Sequence, residues 1–344
     1  MKAAVINEFG DADVLKYEDV ATPSPKYGHV LIKVLAVGVN RLDHYLREGS
    51  VVPEFPFPHI LGIDGVGEIA ELGGGVDDFD IGDRVIAVPG FPLNESEYDI
   101  YPASLAPSFT MLGLGVWGTY AQYLEVPAPY VIKDETGLSV EEAATLPIVL
   151  GTSVRAVKEV GQVKSGDTVL VQAGASGSGS MHIQVAKALG AKVIATIRNE
   201  SKMALVKSVG ADKVINTKCE DVVDAVMKWT NGTGVDVAID NLGGDLLAQS
   251  IDCVKANGVI VAYGFSAGTE VTFDIRNFFF GQKQLRGSMA CDKKDFEWGL
   301  EKVKQKVIRP VLDRCLPLSK AAEAHRLIAN NEVAGNIVLQ PWVE

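Results

Sequence analysis

The chain has 344 residues, of which 47% are hydrophobic and 22% charged, with a formal net charge of −12. That length holds two domains with ample core. The acidic balance excludes a nucleic-acid-binding role resting on a broad basic surface. No apolar run reaches the length of a membrane span. The opening Met1-Lys-Ala-Ala-Val-Ile-Asn-Glu8 is a strand pattern broken by charge rather than a signal peptide. Cys219, Cys253, Cys291 and Cys315 are widely spaced, which suits reduced thiols and a cytoplasmic location. Neither these nor the histidines show metal-ligand spacing.

Residues 1–125 read mostly as β, with short runs at Lys2–Ile6, Val30–Val39, Gly65–Glu71 and Arg84–Val88 separated by Gly and Pro turns. The pattern predicts a partly closed β domain. Pro89–Gly115 is long and loop-like and carries Phe91, Tyr98, Tyr101 and Phe109. It is either a substrate or subunit contact or a surface excursion with aromatic packing. A helical stretch then runs from Glu141 through Gly151 to Val160.

From there strands alternate with helices: Thr168–Gln172, Lys192–Thr196, Lys213–Asn216, Val235–Asp240 and Val259–Tyr263. Alternation of this kind predicts a doubly wound parallel sheet, which binds ligands at the carboxyl ends of its strands. The first end is the turn Ala173-Gly174-Ala175-Ser176-Gly177-Ser178-Gly179, followed by an apolar-periodic helix closing at Gly190. Strand, glycine turn and helix set backbone N–H groups and a positive helix end against a pyrophosphate. Small residues are needed because a Cβ would block the phosphates or the helix–strand contact. The spacing Gly-x-x-Gly-x-Gly departs from the usual fingerprint, with Ser176 where a glycine is expected.

The second strand ends at Ile197-Arg198, where an NAD-binding chain carries an acid for the ribose 2′-hydroxyl. A guanidinium there suits a 2′-phosphate instead, with Lys202 assisting, and the expected cofactor is NADPH. Arg198 as a plain surface arginine is the alternative. The later ends, Asn241-Leu-Gly-Gly244 and Gly264-Phe265-Ser-Ala-Gly268, are polar or glycine-rich, as one extended ligand would require; simple turn chemistry is the alternative. After about residue 272 the alternation stops, with an aromatic cluster Asn277–Phe280, amphipathic helices at Phe296–Gln305 and Ser319–Ile328, and a last strand Gly335–Pro341. This tail is expected to return to the first domain.

The segments Gly38-Val-Asn-Arg-Leu-Asp-His-Tyr45, Pro58-His-Ile-Leu-Gly-Ile-Asp-Gly-Val-Gly67, Gly82-Asp-Arg-Val85, Ala173–Gly179 and Ala186-Lys-Ala-Leu-Gly-Ala191 together resemble the medium-chain dehydrogenase/reductase superfamily, over essentially the whole chain. The resemblance implies an α/β fold: a discontinuous GroES-like β-rich catalytic domain (1–126 and 272–344) and a Rossmann NADPH-binding domain (127–271). The positions that bind catalytic zinc in that family are here Asn40, Ile63 and Val149, Leu42 replaces the relay hydroxyl, and the 89–115 loop has no cysteine. No zinc is therefore expected.

Asn40, Asp43 and Tyr45 match the Asn-x-x-Asp-x-Tyr of the zinc-independent quinone oxidoreductase branch. The implied activity is hydride transfer from NADPH to a quinone, which spreads the charge to a remote oxygen without a Lewis acid. Tyr45 or Asn40 is the implied donor to that oxygen, with a pocket-wall role the alternative for Tyr45. Asp43 is a further candidate, whose alternative is ordering the helix start. Ser153 is a candidate contact on the nicotinamide side. Gly335-Asn336 stands where the family often has Gly-Lys.

Two other readings stay open. One is reduction of enones or enoyl thioesters, whose carrier phosphates would want a basic entrance; Arg41, Arg47 and Arg276 are candidates for it, with plain solvated arginines the alternative. The other is a non-enzymatic NADPH-binding sensor or structural protein. The expected partners are a small-molecule acceptor and a second copy of the chain, as a homodimer or tetramer, with neither nucleic acid nor membrane.

Overall fold

A computed structural model of the chain describes residues 1–51, 54 and 56–344. The β-rich unit is built around the 11-residue strand His29–Val39, almost all of whose apolar side chains are buried. It pairs antiparallel with Asp64–Leu72, Tyr123–Pro127 and Asn336–Gln340. Asp64–Leu72 leads through Arg84–Ala87 to Val131–Lys133, and Asn336–Gln340 carries Leu312–Pro317 in parallel. A three-stranded sheet of Lys16–Asp19, Lys2–Ile6 and His59–Ile60 belongs to the same unit. The C-terminal tail pairs within this unit, with Ile337 opposite Val39.

The two units are residues 1–148, 291–296 and 310–344, and residues 149–290 and 297–309. These limits differ from 126 and 272. Residues 127–148 stay with the β-rich unit because Val131–Lys133 pairs with Arg84–Ala87, and because the Ala144 carbonyl lies where a Cβ on Gly38 would meet it at 2.3 Å. Residues 272–290 stay with the parallel sheet because Gln284–Gly287 joins it. The sequence hid that strand: it is an edge strand, half exposed, with no apolar run. Leu312–Pro317 was hidden likewise by Asp313 and Arg314.

The second unit is an all-parallel sheet of six strands in the spatial order Lys213–Asn216, Lys192–Ile197, Thr168–Val171, Val235–Asp240, Val254–Ala262, Gln284–Gly287. Counted in chain order this is 3-2-1-4-5-6, the doubly wound arrangement whose ligand crevice opens where the order reverses. Leu170, Ile194, Ala238 and Ile260 from the strands pack against Val226, Leu247 and Ile251 from helices to form its core.

Two predicted stretches are more articulated than expected. The helical run beginning at Val140 stops at Thr145, restarts at Pro147, where a missing N–H costs nothing, and ends in a π-helical turn over Arg155–Val160. The 89–115 segment is no plain loop. It forms a hairpin of Gly90–Pro92 with Phe109–Met111 and two single-turn helices. Glu97 holds it together by accepting from Ser108 N at 2.9 Å and Ser108 Oγ at 2.7 Å, and Tyr98 sets its ring edge-on to Tyr130.

The close approach at Gly38 has a measurable consequence. Gly38→Ala is expected to cost about 1–3 kcal/mol, read as a lower urea midpoint at an unchanged slope.

Candidate functional site

The glycine turn is shaped by Ser176. Its hydroxyl accepts from Gly179 N at 3.0 Å and donates to the Ala173 carbonyl at 2.9 Å, so it caps the helix Gly177–Ala188. That explains a serine where the fingerprint has glycine. Ala173 takes a left-handed backbone, φ +52°, to turn the chain out of the strand. A Cβ on Gly179 would lie 2.2 Å from the Ala173 carbonyl, so only glycine lets the helix come this close. Gly174 likewise leaves room for Ala195 of the next strand. The N–H groups of Gly177 and Ser178 head the helix and have no intrahelical acceptor, which makes this end an anion cradle.

Beneath the turn runs a buried polar chain that sequence reasoning missed. Ala173 N donates to Thr196 Oγ1 (3.0 Å), Thr196 donates to Gln172 Oε1 (2.7 Å), and Gln172 Nε2 donates to Ser250 Oγ (3.0 Å). Ser250 donates to Asp240 Oδ2 at 2.7 Å, and Asp240 Oδ1 accepts from Leu242 N and Gly243 N. The chain ties the ends of three adjacent strands together. Its one legible signal was an Asp closing the apolar run Val235–Asp240 before a glycine turn.

The other predicted residues sit at these strand ends too. Asn241 Nδ2 donates to Ser178 Oγ at 3.2 Å. A Cβ on Gly264 would lie 2.1 Å from the Asn241 carbonyl, so the loops after two neighbouring strands touch backbone to backbone. Phe265, next along, is partly exposed. Arg198 follows the strand Lys192–Ile197 directly and is exposed; Lys202 closes the single-turn helix Glu200–Lys202. Ser153, on the helix Pro147–Val154, is fully buried, yet its hydroxyl has no partner among the described residues. An orphaned hydroxyl, an orphaned Asn241 amide oxygen and a cradle that excludes Cβ atoms fit a dinucleotide.

In the β-rich unit Asn40 precedes the helix Arg41–Glu48. Its N–H donates to Asp43 Oδ2 at 2.8 Å and its Nδ2 to Asp64 Oδ2 at 2.9 Å, while Asp64 Oδ1 accepts from Ile148 N. Asp43 is fully buried and takes a second hydrogen bond from Tyr120 Oη at 3.2 Å. Tyr120 Oη lies 3.0 Å from His325 Nε2, and His325 Nδ1 lies 3.3 Å from Arg47 Nη1. A guanidinium only donates. His325 Nδ1 therefore accepts, Nε2–H donates to Tyr120, and Tyr120 hands its own proton to Asp43. Burial pushes the Asp43 carboxyl up to about 7, against the pull of its hydrogen bonds from Asn40 and Tyr120. Burial also holds Asp64 well above the usual carboxylate range. Asp43 lies wholly inside, at the helix start, whereas Tyr45, on the same helix, is partly exposed with its ring against His44.

Asp64, Tyr120, His325 and Arg47 were not in the predicted site. Arg47 was read as part of a basic entrance, and the structure corrects this. It is 2% exposed and spent on His325, the Gly10 carbonyl and Glu48. Arg41 donates to the Ile328 carbonyl and Asn331, and Arg276 pairs with Asp274. At the family's zinc positions, Ile63 is fully buried, Val149 is buried, and Asn40 is held by Asp64. That donor set does not fit zinc.

Two family models match the chain, an alcohol dehydrogenase GroES-like domain over residues 26–139 and a zinc-binding dehydrogenase over residues 177–305. A 2-haloacrylate reductase from Burkholderia sp is 30% identical, over 98% of this chain and 98% of that protein. The chain belongs to the medium-chain dehydrogenase/reductase superfamily. It is therefore an oxidoreductase of a family that uses a nicotinamide cofactor. A quinone oxidoreductase from Pongo abelii is 29% identical over 98% of this chain and 97% of that one. Among solved structures, one titled as an NAD-dependent alcohol dehydrogenase is 33% identical with a TM-score of 0.93, covering 99% of each chain.

The buried acid sets a pH dependence. In the folded state Asp43 keeps a proton up to about 7 that the unfolded chain releases near 3.8, so its contribution to stability falls as pH rises between those values. The slope from one such group is at most about 1.4 kcal/mol per pH unit. The histidines, held below their ordinary range by burial, act with the opposite sign in both proteins, so the comparison is between variant and wild type: over pH 5, 6 and 7 urea unfolding is expected to show Asp43→Asn gaining stability relative to wild type as pH rises. An unchanged slope would remove Asp43 as its source.

Proposed function

We propose that the protein is a zinc-independent, NADPH-dependent reductase that passes hydride to a quinone. The observation that carries this reading is the donor set Asn40, Ile63 and Val149, which leaves no ligands for a catalytic metal at the family position. Without a Lewis acid an alkoxide has no strong stabiliser, whereas a quinone carries incoming charge on its own distant oxygen.

NADPH, when bound, supplies the hydride. The parallel-sheet unit provides the cradle: Gly174–Gly179 and the helix start take the pyrophosphate, Arg198 and Lys202 grip the 2′-phosphate, and Ser153, Asn241, Gly264 and Phe265 line the remainder. The β-rich unit provides the donors. An amide NH2 has two hydrogens; Asp64 holds one of Asn40's, and the other is left to the acceptor oxygen. Tyr45 offers a hydroxyl for the same purpose. Asp43 acts as a positioning residue, fixing the Asn40 backbone at the helix start.

A second reading is reduction of a carbon–carbon double bond conjugated to a carbonyl, favoured by the likeness to a 2-haloacrylate reductase. The same donors and the same cofactor serve it. The loss of the basic entrance weighs against thioester carriers.

The edge strand Gln284–Gly287 ends the parallel sheet with its outer side unpaired among the described residues, and Phe280 beside it is 75% exposed. Such an edge suits pairing with a second copy, so a homodimer, or a tetramer built from it, is the proposed assembly, checked by sedimentation velocity. No helix among the described residues is long and apolar enough to cross a membrane, and no disulfide joins the four cysteines. The proposed location is the cytoplasm.

The decisive assay follows consumption of NADPH, with NADH in parallel, by metal-stripped protein given a benzoquinone, a naphthoquinone, a simple enone or an enoyl thioester. NADPH-selective turnover of quinones is expected, and Tyr45→Phe should lower kcat. Arg198→Ala should weaken NADPH about ten-fold while sparing NADH. Tight NADPH binding with no turnover would favour a sensor or structural role. Activity restored only by zinc would overturn the metal-free reading.

A further inference from the structure

Three buried side chains of the β-rich unit have no part in the function proposed above. Arg47 sits on the helix Arg41–Glu48, Tyr120 just before the strand Tyr123–Pro127, and His325 on the helix Ala321–Ala329. Tyr120 and His325 are fully buried, and Arg47 is nearly so. They form one line. Arg47 Nη1 lies 3.3 Å from His325 Nδ1, His325 Nε2 lies 3.0 Å from Tyr120 Oη, and Tyr120 Oη lies 3.2 Å from Asp43 Oδ2. The line ends at Asp43 Oδ2, which also accepts from the backbone N–H of Asn40 at 2.8 Å. That last bond involves only the main chain of Asn40, so it holds whichever way the Asn40 amide is turned.

Donor counting places the protons on this line. A guanidinium has donors only and keeps its proton. The ring atom facing it, His325 Nδ1, is therefore bare. Turning the ring over would set carbon atoms against both Arg47 and Tyr120. Burial, with the Arg47 charge adding to it, holds the His325 pKa well below its ordinary value, so the ring carries one proton. That proton is on Nε2 and points at Tyr120. The Tyr120 proton then goes to its other partner, Asp43 Oδ2. The same count rules out a proton wire, because a shuttle would need Nδ1 to take a proton from a group that never releases one.

What such a line can do is fix a position. Asp43 Oδ2 receives two donors, one from the main chain of Asn40 and one from Tyr120. The carboxyl group cannot turn about its own bond without breaking both. His325 in turn keeps the Tyr120 proton from pointing anywhere else. The far end of the line is anchored, since Arg47 also donates to the Gly10 carbonyl and pairs with Glu48.

We propose that Tyr120 and His325 are positioning residues for Asn40: acting through Asp43, they hold the main chain at the helix start so that the Asn40 side chain meets the acceptor oxygen. The inference rests on the reading of Asn40 as a donor to that oxygen. It extends the reading to two residues that touch neither the cofactor nor the acceptor.

The test is the single-turnover rate at which a naphthoquinone oxidises NADPH bound to the full chain, followed by stopped flow, with the NADPH dissociation constant as control. Tyr120→Phe and His325→Leu should each slow this step about ten-fold. NADPH affinity, set in the parallel-sheet unit, should stay within about two-fold of wild type. His325→Gln should recover most of the rate lost in His325→Leu, because an amide oxygen can face Arg47 while its N–H faces Tyr120. The double variant Tyr120→Phe/His325→Leu should be no slower than Tyr120→Phe, since His325 acts only through Tyr120. Thermal midpoints report which variants are folded; Tyr120→Phe, which removes one oxygen, carries the test if His325→Leu does not fold. A packing defect would not separate Gln from Leu and would add in the double variant. The full wild-type rate in Tyr120→Phe overturns the proposal, as do equal losses with Gln and Leu or additive losses in the double variant. Asn40→Ala at the full wild-type rate overturns instead the donor reading beneath it.

Discussion

The contact on which the parallel-sheet unit depends is the approach of the helix Gly177–Ala188 to the carbonyl of Ala173, possible only because Gly179 carries no side chain. Bringing a helix this near its strand sets the helix end, with its unmatched N–H groups, directly over the sheet. The polar chains on either side then serve that geometry. Thr196 and Gln172 fix the backbone where the turn leaves the strand, and Asp240 fixes the matching turn on the neighbouring strand. The turn is thus held by hydrogen bonds from below, and its upper surface is left with donors to offer.

The β-rich half solves a different problem. It buries two acids, Asp43 and Asp64, around one asparagine. Two carboxylates so enclosed would repel if both were ionised, and burial raises both toward the neutral form. The nearby Arg47 charge is balanced by Glu48 and reaches Asp43 only through neutral His325 and Tyr120. Asn40 is thereby gripped at both its backbone and its side chain.

Much of this was legible in the sequence. The alternation of strands and helices marked the parallel sheet, and the glycines marked the turn, because both follow from local chemistry. The end of the alternation near residue 272 set the C-terminal tail apart, but no local pattern announces the particular pairing of Val39 with Ile337. What escaped was long-range and polar. His325, Tyr120 and Asp43 are brought together from distant positions, and a histidine or tyrosine in an apolar-periodic segment reads as packing. Arg47 misled for a related reason. Its charge suggested solvent, whereas three partners, two of them distant in sequence, let it be buried. Edge strands such as Gln284–Gly287 escaped because half their side chains face outward, which blurs the apolar run.

The pairing of Asn336–Gln340 with His29–Val39 also bears on how the chain is made. The central strand of the β-rich unit is synthesised early, and one of its partners comes some 300 residues later. The parallel-sheet unit, residues 149–290 and 297–309, is complete in the interval. Domains fold as units while the chain emerges, so the order of maturation runs opposite to the order of the sequence. The unit begun first closes last, and until it does the flank of His29–Val39 offers open backbone donors and acceptors to any other strand that meets it.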